Sequence, residues 1–120
     1  MVNKVNVAQD IRNGTFQLGE FNATAIAGAA TLHRLAGRVT SESLTTAAAG
    51  EYTLTLTNTH IESTDMVFAM AGLGSSTQGT PGIGGVTPAD GSVVITVTNL
   101  HATLAFNGTI FVDFWVLKRR

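Results

Sequence analysis

The chain has 120 residues, no cysteine, a formal net charge of −1 and only 12% charged residues. That length fits one domain, burying about two-thirds of its unfolded surface without staples. The missing cysteines exclude a disulfide framework and a thiolate metal site. The near-zero net charge excludes long-range attraction to nucleic acid or an acidic membrane. A charged share about half the usual roughly 25% leaves much weakly polar surface, which burial against other subunits would remedy.

Residues 1–14 are polar, lack the apolar core of a signal peptide and end in the turn dipeptide Asn13-Gly14. They are expected to form an N-terminal arm, with residues 15–120 making the folded domain. Thr15 to Phe21 sets Phe16, Leu18 and Phe21 against polar partners, the pattern of a strand kinked near Gly19. From Ala23 to Ala36 two readings stand. Ala25, Ala29, Leu32 and Leu35 suit a helix, while Thr24, Gly28 and Thr31 weaken it. Thr31 to Glu42 reads better as a strand bent at Gly37.

Gly50-Glu-Tyr-Thr-Leu-Thr-Leu-Thr-Asn-Thr-His60 is then matched by Gly91-Ser-Val-Val-Ile-Thr-Val-Thr-Asn-Leu-His101, at a constant offset of 41. Apolar residues alternating with threonine mark a half-buried strand, because successive side chains point to opposite faces. One strand-and-turn device is therefore used twice. Between the copies, Asn58 to Asp65 is a polar turn, and Met66-Val-Phe-Ala-Met-Ala71 is apolar on both faces, so both must be covered. Gly72 to Gly85, dense in glycine, reads as a long exposed loop. Asp90-Gly91 punctuates the second copy. Asn107-Gly108 then reads as a hairpin-type turn into Thr109 to Leu117. In that last strand Ile110, Val112, Phe114 and Val116 occupy one face; Phe111, Trp115 and Leu117 occupy the other, interrupted by Asp113. Lys118-Arg119-Arg120 reads as a solvated tail. Seven to eight short strands with glycine-rich turns predict an all-β fold, an antiparallel β-sandwich or jelly roll.

Residues with chemistry are few and scattered. His33, His60 and His101 show no local ligand spacing, and a turn-capping or interface role is expected for them, although the repeat could bring His60 near His101. Gly74 to Gly79 has the glycine spacing of a P-loop, but Thr80 stands where lysine is needed. No Gly-x-Ser-x-Gly elbow is present. Asp65 reads as a residue opening a strand, and Asp113, in the most apolar strand, as a salt-bridge or interface residue. Trp115 and Tyr52 are expected in core or interface packing. No catalytic residue, metal ligand or cofactor is assigned. The interface candidates are Phe68, Met70, Phe111, Asp113 and Trp115.

Leu35-Ala-Gly-Arg-Val-Thr-Ser-Glu-Ser-Leu-Thr-Thr46 and Gly50-Glu-Tyr-Thr-Leu-Thr-Leu-Thr-Asn58 resemble a family of small tailed-bacteriophage virion proteins. Thr87-Pro-Ala-Asp-Gly-Ser92, Asn99-Leu-His-Ala102, Leu104-Ala-Phe-Asn-Gly-Thr109 and Val116-Leu-Lys118 continue the likeness in order, over about residues 31–118. The resemblance implies a head decoration (cement) protein, β-rich, bound to the major capsid protein on the virion's capsid surface and assembled in the host cytoplasm. With the low charge, it leads to the expectation of a non-enzymatic homodimer or homotrimer that contacts neither nucleic acid nor membrane. The alternative is a receptor- or glycan-binding module of a phage fibre or tail, with a cleft at the Gly72 to Gly85 loop.

Overall fold

The computed structural model describes residues 19–119. The expected arm at 1–14 and most of the expected strand at 15–21 lie outside the described residues. Eight strands follow in chain order: β1 (Asn22–Thr24), β2 (Ala29–Thr31), β3 (Ala36–Thr40), β4 (Glu51–Thr57), β5 (Met66–Leu73), β6 (Pro81–Ala89), β7 (Ser92–Asn99) and β8 (Ile110–Leu117). They form two four-stranded sheets, ordered β1-β3-β8-β5 and β2-β4-β7-β6. Because β1 touches β2 and β5 touches β6, the sheets stack in matching order, with sequence-adjacent strands facing each other.

The expected β-sandwich is therefore present, with one addition at its edges. β1 pairs parallel to β3 and β2 parallel to β4, while the other pairings are antiparallel. The cause lies in the segment that read ambiguously. Ile26 exchanges hydrogen bonds with Ala29 (2.9 and 3.0 Å), and Ala27 and Gly28 take positive φ, so the chain turns sharply from β1 into the opposite sheet. Ala23 to Ala36 forms neither a helix nor one strand. The strand expected over Thr31 to Glu42 is also divided: Thr31 ends β2, residues 32–35 cross between the sheets, and Gly37 lies inside β3 rather than at a bend. Each crossing carries the chain between sheets, so β1 and β3 run in the same direction.

Alternation places the core. Leu54 and Leu56 of β4, Val93, Ile95 and Val97 of β7, and Ile110, Val112, Phe114 and Val116 of β8 are buried between the sheets, joined by Phe106, Ile61 and Val39. Tyr52 is buried on the same face of β4, its hydroxyl donating to Glu42 Oε1 at 2.8 Å. Burial, aided by that carboxylate, pushes the Tyr52 phenol well above its ordinary pKa. A phenol raised in the folded state stabilises the fold fully below its unfolded pKa of about 10, and that stability is lost as pH rises further. Tyr52→Phe is therefore expected to flatten the fall in unfolding midpoint above about pH 10. Urea titrations between neutral pH and about pH 11 check this; an unchanged alkaline limb would remove Tyr52 from the cause.

The repeated device is resolved by main-chain pairing. β4 and β7 are antiparallel neighbours, so the two copies are related by a local twofold. The amide of Asn58, closing the first copy, donates to Gly91 O at 2.9 Å, where the second copy opens; the amide of Asn99 donates to Gly50 O at 2.9 Å. Each asparagine is fully buried. Its Oδ1 accepts from the amide two residues on, His60 for Asn58 (3.0 Å) and His101 for Asn99 (3.1 Å). The Thr-Asn-x-His signature is thus an Asx turn that ends a strand with its polar groups satisfied.

Two loop expectations are corrected. Half of Gly72 to Gly85 is strand: β5 runs to Leu73, β6 begins at Pro81, and residues 74–80 connect them. That connection is tied down, with Ser76 buried and Thr77 N–H donating to Asn107 Oδ1 at 2.8 Å. The glycines serve close approach and the bulge between Ile83 and Gly85, not flexibility. Asn107-Gly108 is no hairpin turn either. Asn107 braces residues 76–77, while Gly108 bridges to Leu44. The tight two-residue turn is Asp90-Gly91, joining β6 to β7.

Candidate functional site: the outer face of one sheet

The two outer faces of the sandwich differ in chemistry. On the β2-β4-β7-β6 sheet the outward positions of β4 and β7 include Thr53, Thr55, Thr57, Thr96 and Thr98, a hydroxyl face suited to water. On the β1-β3-β8-β5 sheet, pairing register assembles an apolar face. β8 sets Phe111, Asp113, Trp115 and Leu117 outward, because its alternate residues fill the core. Across β5, Met66 stands opposite Leu117, Phe68 opposite Trp115, Met70 opposite Asp113 and Gly72 opposite Phe111. All five sequence candidates (Phe68, Met70, Phe111, Asp113 and Trp115) therefore share one face. Met66, Phe68, Met70, Trp115 and Leu117 remain 41, 46, 62, 41 and 42% exposed. The Phe68 and Trp115 rings meet with centroids 5.5 Å apart, tilted by 34°. A hollow of about 250 Å3 lies along Phe68, Met70, Asp113 and Trp115.

One ion pair sits in the middle of this face. Arg38 of β3 is in register with Asp113 and donates through Nε to Oδ1 at 2.7 Å and through Nη2 to Oδ2 at 3.0 Å. The guanidinium also lies 3.9 Å from the centroid of the Phe111 ring. That ring needs room over β5, which Gly72 provides: a Cβ there would collide with the Phe111 ring. Hydrogen bonding to Asp113 raises the Arg38 pKa, against an opposing desolvation. An exposed pair like this adds little stability. Its effect is to place a charge-balanced group in an apolar field.

The remaining candidates are spread apart and structurally engaged. His60 and His101 stand at opposite ends of the β4–β7 pair, so the repeat does not bring them together. His101 Nδ1 accepts the amides of Thr103 and Leu104 at 3.1 and 3.0 Å, and His33 Nδ1 accepts that of Thr59 at 3.1 Å. Both act as turn caps. Asp65, next to Met66 of β5, accepts the amide of Glu62 at 2.8 Å and a hydrogen bond from Lys118 Nζ at 2.6 Å. Lys118 also donates to His60 O at 2.6 Å and lies 3.2 Å from Glu62 Oε1, so it is a bridge rather than part of a solvated tail. Those hydrogen bonds, Asp65 foremost, raise the Lys118 pKa above its ordinary value, and desolvation opposes them. Among the described residues, no three histidine, aspartate or glutamate side chains gather as a metal-binding group.

Sequence reasoning missed Arg38 and Met66 as members of the site, whereas Leu117 was placed on this face of the last strand without being named a candidate. Arg38 is 75 residues from its partner, and only strand register joins them.

No protein-family model matches the chain, and no curated protein matches it in sequence. Among solved structures, it is similar to the tailspike gp61 of Pseudomonas phage phi297, at a TM-score of 0.39 and 16% identity. That likeness covers 69% of this chain and 15% of the tailspike chain, and at such a level it does not extend to function.

Proposed function

We propose that this chain is a non-enzymatic structural subunit of a tailed-phage particle, a head decoration or cement protein that docks on the major capsid protein. The observation that carries the reading is the β1-β3-β8-β5 outer face, where five large apolar side chains stay 41–62% exposed around a neutralised ion pair. Leaving that much apolar surface in water is unfavourable at roughly 25 cal/mol per Å2, and a partner surface removes the cost. The order of strand and turn motifs over about residues 31–118, which resembles small phage virion proteins, supplies the class of partner. A subunit that binds the assembled shell but not loose capsomers stabilises the shell by its binding free energy, repeated over many symmetric sites. Co-sedimentation of the purified chain with empty capsids tests this. Recovery in the capsid pellet is expected; a chain that stays in the supernatant and is absent from purified virions by mass spectrometry overturns the reading.

A second reading is favoured by one specific observation. Trp115 is exposed beside the Asp113–Arg38 pair and the hollow of about 250 Å3, an aromatic platform with polar neighbours of the kind a glycan-binding tail or fibre module uses. A glycan array separates the two, since a cement subunit binds capsid and not sugars.

A further inference from the structure

We propose that β5 is the edge through which two copies of this chain join into a dimer, continuing the β1-β3-β8-β5 sheet across a twofold axis. This contact uses main-chain groups and the purified chain alone, so it stands or falls independently of the capsid-docking reading.

The hydrogen bond from Gly74 N–H to Thr109 O sets the parity of the β5–β8 ladder. In antiparallel pairing the hydrogen-bonded positions alternate, so Met66, Phe68, Met70 and Gly72 turn their amides and carbonyls toward β8. The pairing of β8 with β3 gives the same parity, since Val116 N–H donates to Leu35 O and Ser41 N–H to Ile110 O. Val67, Ala69 and Ala71 therefore direct their N–H and C=O groups away from β8. Among the described residues β5 has β8 as its one hydrogen-bonded neighbour. An unpaired row of this kind is a template for another strand.

The other three sheet edges are blunted, and β5 is not. β1 and β2 are three residues long. β6 carries Pro81, Pro88 and the bulge between Ile83 and Gly85. β5 has eight residues, with no proline, no charge and no bulge against β8.

A second copy is the occupant that fits. The edge offers no charge to select a charged partner, and the Arg38–Asp113 pair neutralises itself. An axis through Ala69 sets Ala69 against its own counterpart and Val67 against the partner's Ala71, so every outward row is met. On the outer face the same register places Phe68 beside the partner's Met70, and Met70 beside the partner's Phe68, apolar against apolar with sulfur near an aromatic ring. Area argues for the edge as well. Five side chains at these exposures offer on the order of 450 Å2 at about 200 Å2 each. That is below the roughly 800 Å2 per partner of a standard interface, so a face-to-face pairing of two copies is a small contact, and the edge ladder, which leaves both outer faces on the same side, is the contact proposed instead.

The test uses the whole chain in sedimentation equilibrium, with Ala69→Pro as the variant. The Ala69 amide points away from β8, so proline removes no hydrogen bond within the subunit and is tolerated on an edge. In the dimer the twofold uses Ala69 twice. Two ladder hydrogen bonds are lost and the ring obstructs approach, so dimer affinity should fall at least about 30-fold. Amide hydrogen exchange of the unaltered chain gives a second readout that needs no substitution. Protection of Val67, Ala69 and Ala71 should rise with protein concentration. A chain that stays monomeric at millimolar concentration overturns the proposal. So does a dimer indifferent to Ala69→Pro, or one whose concentration-dependent protection falls elsewhere. Concentration-independent protection of these amides overturns it too, because it places another part of the same chain on the edge.

Discussion

Asn99→Ala is expected to lower the unfolding free energy by about 3–5 kcal/mol. The side chain is fully buried and makes four hydrogen bonds to backbone groups of three different segments. Its Nδ2 donates to Thr46 O at 3.1 Å and Leu104 O at 2.8 Å; its Oδ1 accepts from Thr80 N at 3.0 Å and His101 N at 3.1 Å. Alanine leaves all four backbone partners without that hydrogen bond around a side chain that is itself fully buried, at roughly 1 kcal/mol each. Asn58→Ala provides an internal comparison. Its repeat-related side chain makes two such bonds, to Arg34 O at 2.6 Å and from His60 N at 3.0 Å, and about half the loss is expected. Asn99→Asp keeps the acceptor but loses the Nδ2 donor and buries a charge against two carbonyls, so it should be no milder than alanine. Urea unfolding of the three variants checks the ranking. Equal losses for Asn58→Ala and Asn99→Ala would mean that these side-chain bonds do not set the energetics of the repeat.

The repeat shows what the sequence makes legible and where legibility stops. Alternating threonine and apolar residues define the two-faced strands β4 and β7 unaided, because period two leaves no other face for Leu54, Leu56, Val93, Ile95 and Val97. The matched spacing of the two copies draws the eye to His60 and His101, whereas the buried group in each is the preceding asparagine. Nothing in the chain order reveals that Asn58 and Gly91 close one end of a strand pair while Asn99 and Gly50 close the other. The parallel edge strands β1 and β2 are illegible for a different reason, since three residues carry too little alternation to register. Glycine density misleads at 72–85, where Gly72 admits the Phe111 ring and Gly84 and Gly85 accompany a bulge. The outer face itself is readable, because strands apolar on both sides must present Phe68, Met70 and Trp115 somewhere outside the core. An arginine neutralising Asp113 is foreseeable as a type of partner; that it is Arg38 depends on β3–β8 register.

Trp115→Ala should separate stability from docking more sharply than any other substitution on that face. In the isolated subunit the indole is 41% exposed and leans on Phe68. Truncation leaves no sealed cavity, since water fills a surface site, and much of the packing removed is against one neighbouring ring. The stability cost is therefore expected near about 1–2 kcal/mol, below the roughly 3–5 kcal/mol of truncating a core aromatic. The exposed remainder, on the order of 100 Å2 for a side chain of about 250 Å2, is what a docked partner would cover. At roughly 25 cal/mol per Å2 that amounts to about 2.5 kcal/mol, the range of an interface hot spot and a loss of about 70-fold in affinity. Phe68→Ala should show the same division, and the double variant should fall short of the sum because the two rings pack on each other. Capsid co-sedimentation titrations beside urea unfolding measure both quantities. A stability loss above about 3 kcal/mol with unchanged capsid affinity would make Trp115 a core residue of the subunit. The docking surface would then lie on the threonine face of the opposite sheet, where contacts are hydroxyl-mediated and an aromatic truncation on β8 has nothing to remove.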